Sequence, residues 1–140
     1  MLTVQIAVAG GIAGVLSNVT GYAITGRLFH RFQSRTPNTW RATESWGHYF
    51  YSAAVRVLAC VGIALLYHAY RAAIATLASG ALAAAAGFGV GLWAVAVVPV
   101  IVEIALFVNW HRGFVIGLLL DWLLVCIIAS AAASIVERAA

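Results

Sequence analysis

The sequence predicts an all-α integral membrane protein, a bundle of four transmembrane helices. Hydrophobic residues make up 64% of the 140 residues and charged residues 9%, whereas soluble domains average about 45 to 50% and about 25%. The mean hydropathy is +1.01. The apolar residues fall into four runs, each long enough to cross a hydrocarbon core of about 30 Å as a helix of about 20 residues. A chain of this length forms one domain, so we assign 1–140 to a single transmembrane domain.

The apolar runs also give the order of the helices. They do not alternate with period two, so they are not strands of a transmembrane barrel. Met1 to Thr3 carry no positive charge, and the first run exceeds the apolar core of about 7 to 15 residues in a signal peptide, so we expect this helix to be retained. The predicted helices cover about 2–26, 47–70, 82–109 and 113–136, with a long loop at 27–46.

The arginines predict the orientation, since the chain has no lysine. Two arginines, Arg71 and Arg138, flank the helices on one side. Five lie on the other side: Arg27, Arg31, Arg35, Arg41 and Arg112. The positive-inside rule then predicts a multi-pass protein of the bacterial inner membrane with a cytoplasmic long loop and both termini outside.

The same loop explains the isoelectric point of about 9.6. Its arginines alternate with four aromatic residues, a pattern suited to an anionic headgroup layer. Membrane topology alone accounts for these charges, so the expected partner is the lipid bilayer and no nucleic acid is expected. The aromatic residues are Phe29, Phe32, Trp40 and Trp46.

One polar residue in each predicted helix suggests an internal binding site. Counting along the chain, Glu103 lies nine residues before Arg112 and Asp121 nine after it, which places both about 13 Å from the cytoplasmic face. Arg56 and Asn18 lie equally far, nine residues, inside their own helices. Because ionisable groups within a membrane face the bundle interior and pair, we predict a polar layer formed by Asn18, Arg56, Glu103 and Asp121.

The charges of this layer do not balance. One arginine and two carboxylates sum to −1, which a low dielectric disfavours, so we expect Arg56 to hold one carboxylate while the other carboxyl group carries a proton. The alternative is a structural salt bridge that fixes helix register. Around Asn18, Gly10 and Gly14 form a small-residue ridge that predicts close approach of a second helix.

Other polar residues give weaker signals. His111 and Arg112, in the turn between the last two helices, are candidates for a headgroup or phosphate contact, although an interfacial role explains them equally well. No two histidines share a metal-ligand spacing, so no metal or cofactor is expected. Cys60 and Cys126 lack a CxxC arrangement and are predicted to be buried thiols.

The chain resembles a family of small, uncharacterised four-helix bacterial membrane proteins. The resemblance is carried by the segment Asn18-Val19-Thr20-Gly21-Tyr22, the segment Gly26-Arg27-Leu28-Phe29, the long loop with its tryptophans, and the short hairpin from Phe107 to Gly117. It implies a four-helix fold and transfers no activity to any residue.

Three functions remain open on the sequence alone. In the first, the polar layer binds a small solute or a proton, and the protein is a transporter or channel that acts as a homo-oligomer, since four helices enclose little volume. In the second, it is an accessory subunit of a membrane complex whose charges serve assembly. In the third, it is an intramembrane enzyme acting on a lipid-like substrate, with one carboxyl group as general acid or base and Arg56 as an anion partner.

Overall fold

The computed structural model describes residues 1–33, 35, 45–76 and 80–140. Within these ranges the chain is helical and contains no strand, which confirms the all-α fold class. Four helices are long and apolar enough to cross a membrane. These spans, numbered first to fourth below, are Leu2–Leu28, Trp46–Ile74, Ala81–Phe107 and Arg112–Ala139.

Two of the spans change helix type along their length. The first consists of α1 (Leu2–Ala23) followed by a π-helical turn, Ile24–Leu28. The third consists of α4 (Ala81–Leu92), a π-helical turn at Trp93–Val97 and α5 (Val98–Phe107). The second and fourth spans are the uninterrupted helices α3 (Trp46–Ile74) and α6 (Arg112–Ala139). A short helix, α2, covers His30–Gln33.

The fourth span is the centre of the bundle and packs on the other three. The first span packs on the second and the fourth, whereas the third packs mainly on the fourth and only slightly on the second. The shared core contains fully buried small residues, and the third span leaves most of its surface exposed. The first, second and fourth spans therefore all pack against one another, and the third span packs on the outer side of the fourth.

Glycines allow the first and second spans to pack tightly, as the ridge in the sequence predicts. A Cβ atom at Gly10 would lie 2.7 Å from the Cα of Val61, and one at Gly14 would lie 2.6 Å from the Cα of Val57. These distances are shorter than any real contact between carbon atoms. A larger side chain at either position would therefore push the two helices apart.

The third span changes helix type just before Pro99. Proline cannot donate a backbone hydrogen bond, and its ring crowds the preceding turn. The π-helical turn Trp93–Val97 lies directly before it, as is typical where a helix absorbs an interruption. The indole of Trp93 donates a hydrogen bond of 2.8 Å to the backbone oxygen of Leu119, which fixes this turn on the fourth span.

The start of the predicted loop 27–46 is more ordered than the sequence suggests. Phe29 and Phe32, expected to lie among lipid headgroups, pack instead over Gly117 and Gly113 of the fourth span. Only glycine leaves room there, because an added Cβ would lie 2.5 Å from the Phe29 ring and 2.7 Å from the Phe32 ring. The predictions for Trp40 and Arg41 fall outside the described residues.

Candidate functional site

Arg56 of the second span and Asp121 of the fourth form a bidentate ion pair inside the bundle. Nη1 of Arg56 donates to Oδ1 of Asp121 over 2.7 Å, and Nη2 donates to Oδ2 over 2.6 Å. The Asp121 side chain is 0% exposed and the Arg56 side chain 14%. Two parallel charged hydrogen bonds are the strongest geometry for this pair, so each ion satisfies the other where water is scarce.

The first span completes the environment of the guanidinium group. Nη1 of Arg56 also donates to the backbone oxygen of Ser17 over 3.1 Å. A Cβ atom at Gly21 would lie 2.7 Å from Nη1, so only a glycine leaves space for the group at that level. Trp122 of the fourth span also lies near the guanidinium, with its ring centroid 5.6 Å from Cζ, a cation–π distance. The first and fourth spans thus both contact the arginine of the second.

Asn18 lies beside the pair without joining it. Its amide donates to the backbone oxygen of Gly14 over 3.0 Å and, across the helix interface, to that of Ala53 over 3.5 Å. Both acceptors are backbone groups, so the side chain links the first span to the second. The structure therefore brings together three of the four residues of the predicted layer: Asn18, Arg56 and Asp121.

A polar cavity leads from one end of the bundle to this cluster. We call it the entry cavity; its volume is about 560 Å³. It lies among the end of the first span, α2 and the starts of the second and fourth spans, at one end of the bundle. Its polar lining residues are Asn18, Tyr22, Thr25, His30, Gln33, Tyr49, Ser52, Arg56 and Asp121.

The inner end of the entry cavity is closed by apolar packing. One helical turn beyond the ion pair, Cys60, Val125 and Ala13 are buried in a single cluster with Ala129. The prediction of buried thiols is confirmed for both Cys60 and Cys126. The cavity therefore opens to one side of the bundle, and its innermost exposed ionisable group is the Arg56 guanidinium.

Glu103 does not belong to this cluster, contrary to the predicted four-residue layer. The residue is exposed on the third span and has no hydrogen bond or ion pair with the residues that the structure describes. Two physical reasons explain the difference. The helix ends at Phe107 and Val108 is extended, so Glu103 lies four residues, about 6 Å, from its helix end rather than at the depth of Asp121. The π-helical turn before Pro99 also rotates the residues that follow it.

Because Glu103 lies outside the cluster, the net charge of the cluster differs from the predicted one. Arg56 and Asp121 together sum to zero, so the surplus negative charge predicted for the layer is absent from the cluster. The two charged groups still differ in their exposure, because the Asp121 carboxylate is wholly buried while part of the Arg56 guanidinium is exposed to the cavity.

His111 and Arg112 have different surroundings at the turn before the fourth span. Nδ1 of His111 accepts a hydrogen bond of 3.0 Å from the backbone nitrogen of Gly113, which caps the helix, and its ring stacks on Phe32 at 4.8 Å. Arg112 is exposed. The observed role of His111 is thus structural, and the headgroup contact of both residues stays a prediction.

A second charged cluster at the opposite end of the bundle was missed from the sequence. His68 of the second span hydrogen-bonds Glu137 of the fourth through Nδ1, and Nη1 of Arg71 lies 3.7 Å from the same carboxylate. The predicted fourth helix ended at residue 136, one residue before Glu137. The available signal was the spacing of His68 and Arg71, which lie three residues apart on one helix face.

The fold and the site together define a class: a multi-pass helical membrane protein with an ion pair inside the bundle. Among the residues described, no three His, Cys, Asp or Glu side chains form a group that could hold a metal ion. No protein-family profile, curated protein or solved structure matches this chain. The resemblance to small four-helix bacterial membrane proteins therefore stays a prediction, and the site is interpreted from its own residues.

Proposed function

We propose that this protein is a small-solute transporter of the bacterial inner membrane and that it binds its solute in the entry cavity. The observation that supports this function is the position of the Arg56–Asp121 pair, at the inner end of a polar cavity of about 560 Å³ rather than within a closed core. A salt bridge that only fixed helix register would need no such access.

The exposed part of the site favours a solute with acceptor oxygens. Arginine has five N–H donors, and three contacts of Arg56 are accounted for by Asp121 and Ser17. Nε–H and one Nη2–H have no partner among the residues described, so they are free to donate to a ligand. Arginine binds carboxylate and phosphate groups through such paired donors, so a small organic or inorganic anion is the expected class.

The closed inner end of the cavity favours a carrier over a permanently open channel. A carrier exposes its site to one side at a time, and the buried cluster around Cys60 and Val125 separates the ion pair from the far end. An anion bound through Nε–H and the second Nη2–H leaves both hydrogen bonds from Arg56 to Asp121 in place.

The location of the cavity agrees with cytoplasmic access. The described arginines of the predicted cytoplasmic side, Arg27, Arg31, Arg35 and Arg112, belong to the end of the bundle at which the cavity opens, and Arg71 and Arg138 to the opposite end. By the positive-inside rule the long loop is cytoplasmic and both termini are outside.

Ligand binding tests the proposal before any flux is measured. The purified protein is heated in detergent with acetate, inorganic phosphate, glycerol or choline, and the unfolding midpoint is recorded. Because a ligand of the folded state stabilises it, one of the two anions should raise the midpoint and the neutral and cationic compounds should not. Flux of that anion into proteoliposomes should follow.

Two variants make this experiment specific. Arg56→Met combined with Asp121→Val replaces the pair by apolar residues and should abolish the anion-dependent shift while the bundle still folds. Glu103→Gln, which removes a carboxylate outside the cavity, is the matched control and should keep the shift. An equal shift in the double variant, or no shift with either anion in the unmodified protein, would refute the proposal.

The second candidate, an accessory subunit or homo-oligomer, is supported by the third span. Most residues of this span are exposed, and Glu103 lies on it without a described partner. Because charged side chains within a membrane pair with other groups, a partner helix that covers Glu103 is the arrangement this candidate expects. Cross-linking through Glu103→Cys in membranes tests this candidate, since only an interface near that residue gives a covalent dimer or a linked partner.

No observation favours the enzyme, because both Asp121 oxygens accept hydrogen bonds from Arg56.

A further inference from the structure

A second cavity lies at the end of the bundle opposite to the entry cavity. We call it the distal cavity; its volume is about 620 Å³. It lies among the end of the second span, the start of the third and the end of the fourth, which is the level of one membrane surface. Its polar and charged lining residues are Tyr67, Arg71, Ser134, Glu137 and Arg138.

The charges of the distal cavity favour an anionic ligand. Glu137 is already engaged by His68 and lies near Arg71, while the Arg71 side chain is 50% exposed and Arg138 is also exposed. Two arginines against one carboxylate leave a net charge of +1 when His68 is neutral. The first and third spans add no ionisable side chain to the lining.

The hydroxyl group of Tyr67 gives the distal cavity a hydrogen-bond donor. The residue as a whole is only 4% exposed, but its hydroxyl oxygen is not enclosed by protein and has no hydrogen-bond partner among the described part of the chain. Because the hydroxyl group of a largely buried tyrosine normally finds a partner, a ligand in the cavity that Tyr67 lines is the expected acceptor. Ser134, by contrast, is satisfied, because it donates to the backbone oxygen of Ala81 over 3.2 Å.

An apolar groove continues from the distal cavity along the outer face of the third span. We call it the lipid-facing groove; Ala84 lines both it and the cavity. The edge-to-face contact of Tyr67 with Phe88, at 5.7 Å between ring centroids, joins the two. The groove reaches from Ala83 to Val95, about 18 Å along a helix. Its floor contains Gly87 and Gly91, where an added Cβ would meet nothing within 4 Å.

We propose that the distal cavity and the lipid-facing groove together bind one anionic phospholipid. The phosphate group accepts hydrogen bonds from Arg71, Arg138 and the Tyr67 hydroxyl, and an acyl chain fills the groove over Gly87 and Gly91. A basic pocket at the membrane surface joined to an apolar channel in the hydrocarbon layer matches the two parts of such a lipid. A helix of a second copy would fill the groove but would leave the Tyr67 hydroxyl and the arginines without an acceptor.

Competition between lipids in mixed micelles tests this proposal. The purified full-length chain is titrated with phosphatidylglycerol or phosphatidylcholine, and bound lipid and oligomeric state are read by native mass spectrometry. We expect one phosphatidylglycerol to bind preferentially. Since each arginine near anionic lipid strengthens binding several-fold, Arg71→Gln with Arg138→Gln should weaken phosphatidylglycerol binding about thirtyfold. Arg27→Gln with Arg31→Gln removes the same charge at the other end and should change it little.

A second pair of variants tests the groove separately from the charges. Gly91→Leu should displace the acyl chain and weaken binding, whereas Gly11→Leu, at another position where a Cβ meets nothing within 4 Å, should not. Equal binding of the two lipids, or no effect of the Arg71 and Arg138 changes, would overturn the proposal. Displacement of the lipid by inorganic phosphate alone would also overturn the proposal, because it would indicate a site for free anions. A dimer that contains no lipid and that dissociates on Gly91→Leu would overturn it as well, because a second copy would then occupy the groove.

Discussion

Replacing Arg56 with methionine should be among the most destabilising single changes in this protein. The change removes both hydrogen bonds to Asp121, at 2.6 and 2.7 Å, and leaves a carboxylate with 0% exposure. Removing one partner of a buried ion pair costs about 3 to 5 kcal/mol. The reverse change, Asp121→Val, should cost less, about 1.5 to 3 kcal/mol, because the guanidinium remains in contact with the entry cavity.

The double variant decides whether the two residues act as a pair. Arg56→Met with Asp121→Val removes both charges at once and fills much of the same space, and such replacements are often neutral or stabilising. We expect its free energy of unfolding to lie within about 1 kcal/mol of the unmodified protein. The free energy of unfolding is obtained from titration with sodium dodecyl sulfate in mixed micelles, with helical circular dichroism as the signal.

The comparison of the two single variants with the double variant can also contradict this expectation. If the two single changes add, so that the double variant is less stable than either, the residues are not energetically coupled and the ion pair does not hold the second and fourth spans together. Equal costs for the two single changes would contradict the asymmetry of access between the guanidinium and the carboxylate.

Three further predictions use the same unfolding assay. Gly14→Leu should lower stability by about 1 to 3 kcal/mol or more through overpacking, because its Cβ would lie 2.6 Å from the Cα of Val57, whereas Gly11→Leu should change little; equal effects would argue against the close helix approach. His111→Ala removes the cap of the fourth span and should cost about 0.5 to 2 kcal/mol, and an unchanged midpoint would mean that the cap contributes nothing. Glu103→Gln should leave both stability and anion binding unaltered; loss of anion binding would show that Glu103 is part of the binding site.

The fold was largely predictable because its signal is long apolar runs. The second and fourth spans are uninterrupted helices that begin at Trp46 and Arg112, within one residue of the predicted starts. Counting residues along straight helices therefore gave the correct relative depth of Arg56 and Asp121. The small-residue ridge of the first span was visible for the same reason, since a constant helical period puts Gly10 and Gly14 on one face.

The errors arise where a span is not a regular α-helix throughout or where its end lies beyond the apolar run. The π-helical turn before Pro99 and the extended Val108 changed both the depth and the direction of Glu103, and counting at a constant rise does not detect either. Glu137 was missed because a charged residue ended the predicted helix, although α6 continues to Ala139. The contact of Arg56 with the Ser17 backbone depends on how the first span is rotated, which no single sequence gives.

Chemical access to the wall of the entry cavity tests the central claim most directly. Ser52→Cys introduces a thiol on that wall, Leu58→Cys introduces one on the outer surface of the same helix, and the two native cysteines are buried. A membrane-impermeant maleimide is applied to right-side-out and inside-out vesicles. The account predicts labelling of Ser52→Cys from the cytoplasmic side alone, with none for Leu58→Cys or the unmodified protein. Absence of labelling from both sides, or labelling from the outside only, would contradict it.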